Sequence, residues 1–91
     1  MEFKDRFEDY TEVEFREFIR CFFENERNLS PDAFEDFLIK GVLHFAAITE
    51  YPSGYDILLR PAEPQEECIN RVVDEVVNWR LANNKPGFKS E

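Results

Sequence analysis

Hydrophobic positions along the chain recur at helical spacing, and start and stop signals cut them into separate helices. Phe15, Phe18, Ile19 and Phe22 share one side of a helical projection, while Arg16, Glu17, Arg20 and Glu24 take the other. Thr11-Glu12-Val13-Glu14 reads as a capping box, with Thr11 as the N-cap, Glu14 reaching back and Tyr10 and Phe15 as a hydrophobic staple. A first helix is thus predicted from about Glu12 to Asn25, after an irregular lead-in over residues 1–10 and before a polar connection, Asn25 to Asn28. Ser30-Pro31-Asp32 opens a second helix with a capping hydroxyl, a proline at the first helical position and an acid facing the positive helix end. That helix continues to about Thr49, where Tyr51-Pro52-Ser53-Gly54 breaks it. Tyr55 to Leu59 has room for one or two turns before Arg60-Pro61, and a loop rich in acids and prolines follows from Pro61. A last helix spans about Gln65 to Asn83: Ile69, Val72, Val73, Val76 and Trp79 share a face, and valine pairs recurring every four residues fit a helix better than a strand. Asn84 to Glu91 form a tail. The predicted fold class is all-α, a compact bundle of three longer helices and one short one.

The second helix carries more apolar surface than one stripe needs. At about 100° per residue, Phe34, Phe37, Leu38, Gly41, Phe45 and Ile48 gather into a core arc. Ile39, Val42 and Ala46 fall in a second arc that also holds Glu35, with Leu43 beyond them. Two readings stand: the helix is sandwiched and buries both stripes, or the second stripe is an exposed patch rimmed by acids, as at protein-binding surfaces. Gly41, which costs a helix interior about 1 kcal/mol relative to Ala, is explained by close approach of a neighbouring helix.

Composition narrows the function classes. A chain of 91 residues makes a single domain, and ten Phe, three Tyr and one Trp supply its core. With 20 acidic against 11 basic residues the net charge is −9, which argues against binding nucleic acid or an anionic membrane. It fits a basic partner or plain solubility. Cys21 and Cys68 with one histidine do not make a zinc site of usual spacing, and Asp32, Glu35 and Asp36 do not match a calcium loop. No metal and no cofactor are expected. The opening Met1-Glu2-Phe3-Lys4 lacks the apolar run of a signal peptide and no stretch reaches spanning length, so a cytoplasmic chain with both cysteines reduced is expected. His44 has no nucleophile at a motif spacing and is read as a structural histidine, so the chain is not expected to be an enzyme. Tyr51 to Asp56 is either an ordinary interhelical loop or a cluster of interface anchors, since tyrosine is enriched among them.

Several stretches in order along the chain resemble one family. Asp9-Tyr10-Thr11-Glu12 with Glu14-Phe15, His44-Phe45 with Thr49-Glu50, Pro52-Ser53-Gly54 with Asp56, and Trp79-Arg80 with Ala82-Asn83 and Lys85-Pro86-Gly87-Phe88-Lys89 resemble the immunity proteins of nuclease colicins and S-type pyocins. The Pro-Ser-Gly turn and the C-terminal stretch are the specific part. The resemblance implies a four-helix immunity fold whose second and short third helices face the toxin. Under it, Asp56 is the acidic anchor, Ser53 and Gly54 form the turn beside it with Tyr55 adjacent, and Glu35, Leu38, Ile39, Val42 and Ala46 occupy the selectivity region. Leu59-Arg60 stand where colicin relatives often carry two tyrosines, and Ala46 where they often carry an acid. The longer connection around Glu26 to Leu29 is closer to the pyocin branch.

The expected partner is therefore the basic nuclease domain of a cognate bacteriocin, a DNase before an RNase, bound by a chain that is monomeric when free and acts without nucleic acid or membrane. Other classes make different demands. An acyl-carrier-like protein needs a serine within Asp-Ser-Leu, whereas Ser30 follows Leu29 and Ser53 follows Pro52. A DNA mimic needs an extended row of carboxylates, and here they are interspersed with Lys and Arg.

Overall fold

A computed structural model describes residues 4–24, 28–58 and 64–90. Three α-helices run along it: α1 (Glu12–Arg20), α2 (Pro31–Thr49) and α3 (Gln65–Ala82). Two 3-10 turns accompany them, Phe7–Asp9 before α1 and Gly54–Leu58 between α2 and α3. No strand occurs among the described residues, in keeping with the all-α expectation. Among the described residues three α-helices are counted, the segment expected as a short helix is a 3-10 turn as far as Leu58, and the lead-in expected to be irregular holds another such turn.

The local signals work as their chemistry requires. The Glu14 backbone N–H donates to Thr11 Oγ1 at 3.2 Å and the Thr11 N–H donates to Glu14 Oε1 at 2.9 Å, closing the capping box. Ser30 Oγ accepts from the Ala33 N–H at 3.3 Å, with Pro31 in the first turn. α1 stops at Arg20, short of the expected Asn25, which lies outside the described residues. The reason is a tightening of the hydrogen-bond ladder: Phe22 N–H donates to Ile19 O and Phe23 N–H to Arg20 O, three residues back instead of four. This turn aims the Phe22 ring at Gly41, where a Cβ would come within 2.5 Å of the ring. Gly41 is thus explained by close approach, from the turn after α1.

Aromatic rings build the centre of the core. Phe15 stacks on Phe45 at 6.0 Å and Tyr10 on Phe18 at 5.6 Å, and α3 closes this layer with buried Ile69, Val72, Val73 and Val76. The C-terminal tail belongs to the core as well. Phe88 stacks on Phe7 at 4.8 Å, and the Lys89 N–H donates to Tyr10 O at 2.8 Å. The core arc of α2 needs correction at its N-terminal half. Gly41, Phe45 and Ile48 are buried, but Phe34, Phe37 and Leu38 are only partly so. With α1 ending at Arg20, this half is packed at its edge, where Phe22 meets Phe37 with centroids 6.4 Å apart.

Arg80 ties these parts together. Its side chain is 2% exposed, and its guanidinium donates to Pro86 O at 2.9 Å, Thr49 O at 3.1 Å and Ile48 O at 3.3 Å. It also lies 4.3 Å from the Phe7 ring centroid and 3.5 Å from Glu50 Oε2. A cation is well placed there, because the last carbonyls of α2 lack intrahelical donors and form the negative end of the helix. Glu50, the C-cap, takes a left-handed φ of 59° that a non-glycine residue rarely adopts, with its carboxylate held by Arg80 and, at 3.3 Å, by Lys85.

Two predictions follow from this frame. R80M strands the buried carbonyls of Ile48 and Thr49, releases that of Pro86 and lowers unfolding stability by about 3 kcal/mol in chemical denaturation; an unchanged midpoint removes Arg80 from its role. The second concerns acid. The Lys4 ammonium, 2.6 Å from Glu14, and then the Thr11 N–H hold the Glu14 carboxyl at about 2, below its ordinary 4.5. A depressed carboxyl stabilises the fold fully above its ordinary value, and that contribution is lost as pH falls toward 2. E14Q keeps the acceptor for Thr11 but not the charge, so its melting temperature should fall less steeply than that of the parent chain between pH 4.5 and 2. Parallel curves there contradict the assignment.

Candidate protein-binding face

The second arc of α2 divides on the surface. Ile39 is 53% exposed and Glu35 is exposed, whereas Val42, Leu38 and Ala46 are half-buried, with Val42 packed against the core. The sandwiched reading holds in part for Val42 and fails for Ile39. Leu43, one helical turn on from Ile39, is 59% exposed. The wheel sets it beyond the second arc, yet its i+4 spacing from Ile39 puts the two on one strip. Ile39 and Leu43 form an apolar strip along α2, with Asp32, Glu35, Asp36 and Glu50 among the exposed acids of the same helix and its cap.

The Pro52-Ser53-Gly54 turn folds against this helix. Gly54 has φ +59°, the left-handed region that glycine enters without strain, and a Cβ there would meet Ala46 Cβ at 3.6 Å. Positions 46 and 54 are therefore neighbours. The Gly54 N–H donates to Tyr51 O at 2.8 Å, the Asp56 N–H to Ser53 O at 3.2 Å, and the Tyr51 N–H to Thr49 Oγ1 at 3.3 Å. Within the 3-10 turn, Ile57 and Leu58 point into the core, while Asp56 is exposed and Tyr55 is 42% exposed. Ser53 is exposed. The structure thus sets the turn bearing Ser53, Gly54, Tyr55 and Asp56 against Ala46 of α2, the helix that also carries Glu35, Leu38, Ile39 and Val42. Leu59 and Arg60, the remaining candidates, lie outside the described residues.

His44 Nε2 is hydrogen-bonded to Lys4 O at 2.5 Å and its ring meets Phe18 edge-on at 6.1 Å, a structural placement away from the strip. Among the described residues no group of three or more His, Cys, Asp or Glu is arranged to hold a metal ion, and no helix is long and apolar enough to cross a membrane.

Known proteins place the chain. A family model described as colicin immunity protein / pyocin immunity protein matches residues 7–82, from the first 3-10 turn to the end of α3. The chain belongs to the colicin and pyocin immunity protein family. It is 40% identical over 87 residues to the pyocin-S2 immunity protein of Pseudomonas aeruginosa, covering 96% of this chain and 98% of that one. The pyocin-S1 immunity protein of the same species shows the same identity and coverage. Among solved structures, a chain of the pyocin AP41 DNase–immunity complex superposes with a TM-score of 0.85 at 39% identity, over 97% of this chain and all of that one. A chain from the complex of the mutant pyocin S8 nuclease domain with its cognate immunity protein gives a TM-score of 0.65 at 27% identity, over 96% and 100% of the two.

For this colicin and pyocin immunity family member, an open strip carries a thermodynamic expectation. I39E and L43E replace side chains already in water, so each should change unfolding stability by no more than about 0.5 kcal/mol. Losses of 2 kcal/mol or more would place both residues in the core.

Proposed function

We propose that this chain is the immunity protein of a nuclease bacteriocin and neutralises a DNase domain by covering it with α2 and the second 3-10 turn. The observation that carries the reading is the exposed Ile39–Leu43 strip running, among acids, toward the Tyr55–Asp56 turn, on a chain of the immunity family. DNase is preferred to RNase because the pyocin AP41 complex, at 39% identity, is described as a DNase–immunity complex. In this reading the 3-10 turn over Gly54–Leu58 stands in for the family's short third helix. The whole chain acts as one domain, monomeric until it meets the toxin, in the cytoplasm of the producing cell.

Exposed carboxylates such as Glu35 and Asp56 steer the protein onto a cationic surface, raising the association rate without fixing the pose. Ile39 and Leu38, with the exposed edges of Val42 and Ala46, then exclude water from a central patch, and Tyr55 adds aromatic area at its end. Ser53 and Gly54 set the backbone on which Asp56 is presented. The inhibitor takes no part in bond chemistry; bulk and negative charge next to the nuclease cleft keep nucleic acid out.

The test is titration of the purified protein into the DNase domain of the bacteriocin encoded beside it, following plasmid cleavage. Cleavage should end at one equivalent. D56A should bind at least tenfold more weakly while keeping the melting temperature, because the side chain is exposed. Undiminished cleavage at several equivalents sinks the proposal; an unchanged dissociation rate for D56A removes only the anchor.

A further inference from the structure

A 3-10 turn of five residues is a weak platform for a binding anchor, since its hydrogen bonds are poorly aligned. Here it has help from α3. Arg71 donates from Nη2 to Ile57 O at 2.7 Å, while its Nη1 lies 3.5 Å from Glu75 Oε2 and Nη2 lies 3.7 Å from Cys68 Sγ. The Arg71 side chain is 18% exposed, so this charge-assisted bond is largely shielded from water. It reaches across 14 residues of sequence and closes on the residue directly after Asp56. Arg71, Asp56, Ser53, Tyr51 and Glu75 line one shallow hollow between the turn and α3. Neither the helical pattern of α3 nor its apolar face singles this arginine out.

We infer that Arg71 is the positioning residue of the Tyr55–Asp56 segment: it clamps the 3-10 turn to α3 so that the turn meets its partner already ordered. The inference rests on the docking role proposed above for that segment. Arg71 touches no partner group in this account and acts through Ile57. Two effects of its removal differ in sign. Loss of the clamp leaves the turn to be ordered during binding, which shortens the lifetime of the complex. Loss of its positive charge beside Asp56 makes the hollow more negative, which leaves association with a basic nuclease as fast or faster.

The experiment compares the full chain with R71M and R71K, under conditions where all three are folded. Amide hydrogen exchange at residues 56–58 should quicken about tenfold in R71M, with the middle of α3 unchanged, and R71K, which keeps a donor, should recover part of the protection. Against the DNase domain, R71M should dissociate about tenfold faster without associating more slowly. The penalty of D56A should also shrink in the R71M background, because a loosened turn no longer presents that carboxylate well. A purely structural role would leave both rate constants unchanged and make the two substitutions additive, and that result overturns the inference, as does unchanged exchange at 56–58. If the parent chain binds no DNase domain, the proposed function fails while the exchange comparison still decides whether Arg71 holds the turn.

Discussion

A single guanidinium under the C-terminal end of α2 holds together parts of the chain that would otherwise have little reason to meet. Arg80 takes the carbonyls of Ile48 and Thr49 from α2 and that of Pro86 from the tail, and faces the Phe7 ring of the first 3-10 turn. Each of these carbonyls is costly to remove from water without a donor nearby. With the carbonyls satisfied, the tail can lie across the core, where Phe88 packs on Phe7 and Phe15 and Lys89 pairs with Tyr10 O. A chain of 91 residues gains from this, because short chains bury a small share of their surface and the tail adds an aromatic ring to the core.

The same anchorage reaches the proposed binding face. Arg80 fixes where α2 ends, Thr49 Oγ1 accepts from the Tyr51 N–H one step later, and the turn at Gly54 then settles against Ala46. The exposed pair Tyr55 and Asp56 is therefore placed by a relay of backbone contacts from the core outward, with Arg71 closing the relay from α3. Side chains that face water gain no orientation from packing of their own. Their positions are inherited from the buried residues beside them, Ile57 and Leu58.

What the sequence made legible was chiefly local. The capping box at Thr11, the Ser30-Pro31 start and the glycine turn at residue 54 each depend on groups within a few residues, so their chemistry is complete in one dimension. The end of α1 departs from the sequence pattern because Phe22 repeats at helical spacing, while the ladder tightens to bring its ring onto Gly41, a partner remote in sequence. The helical wheel likewise gave the angles of Phe34, Phe37 and Val42 without saying which neighbour covers each angle. Hence Val42 leans inward and Leu43 outward, although both had been placed off the core arc. Arg80 and Arg71 were invisible in their roles for a related reason. A buried arginine is specified by the carbonyls it meets, and those come from elsewhere in the chain.

Ion pairs answer part of the acidic excess behind the net charge of −9. Lys4 pairs with Glu14, Arg16 with Glu12, Arg20 with Glu66, Lys40 with Asp36, and Lys85 with Glu50, while Arg71 and Arg80 serve backbone carbonyls as well as acids. The Arg20 pair holds the Glu66 carboxyl below its ordinary value, a sign that its charge is already answered. Among the described residues Asp5, Glu8, Glu24, Asp32, Glu35, Asp56, Glu67 and Asp74 carry no such ion pair, and three of them, Asp32, Glu35 and Asp56, sit on α2 and on the turn after it. Charge that served only solubility could lie anywhere on the surface. Glu35 and Asp56 are among the unpaired carboxylates and accompany the exposed apolar strip, so the proposed binding face is also one that attracts cations. In the proposed docking a basic surface would meet both features together, and at physiological salt, where screening acts over about 8 Å, that proximity would let the attraction guide the approach.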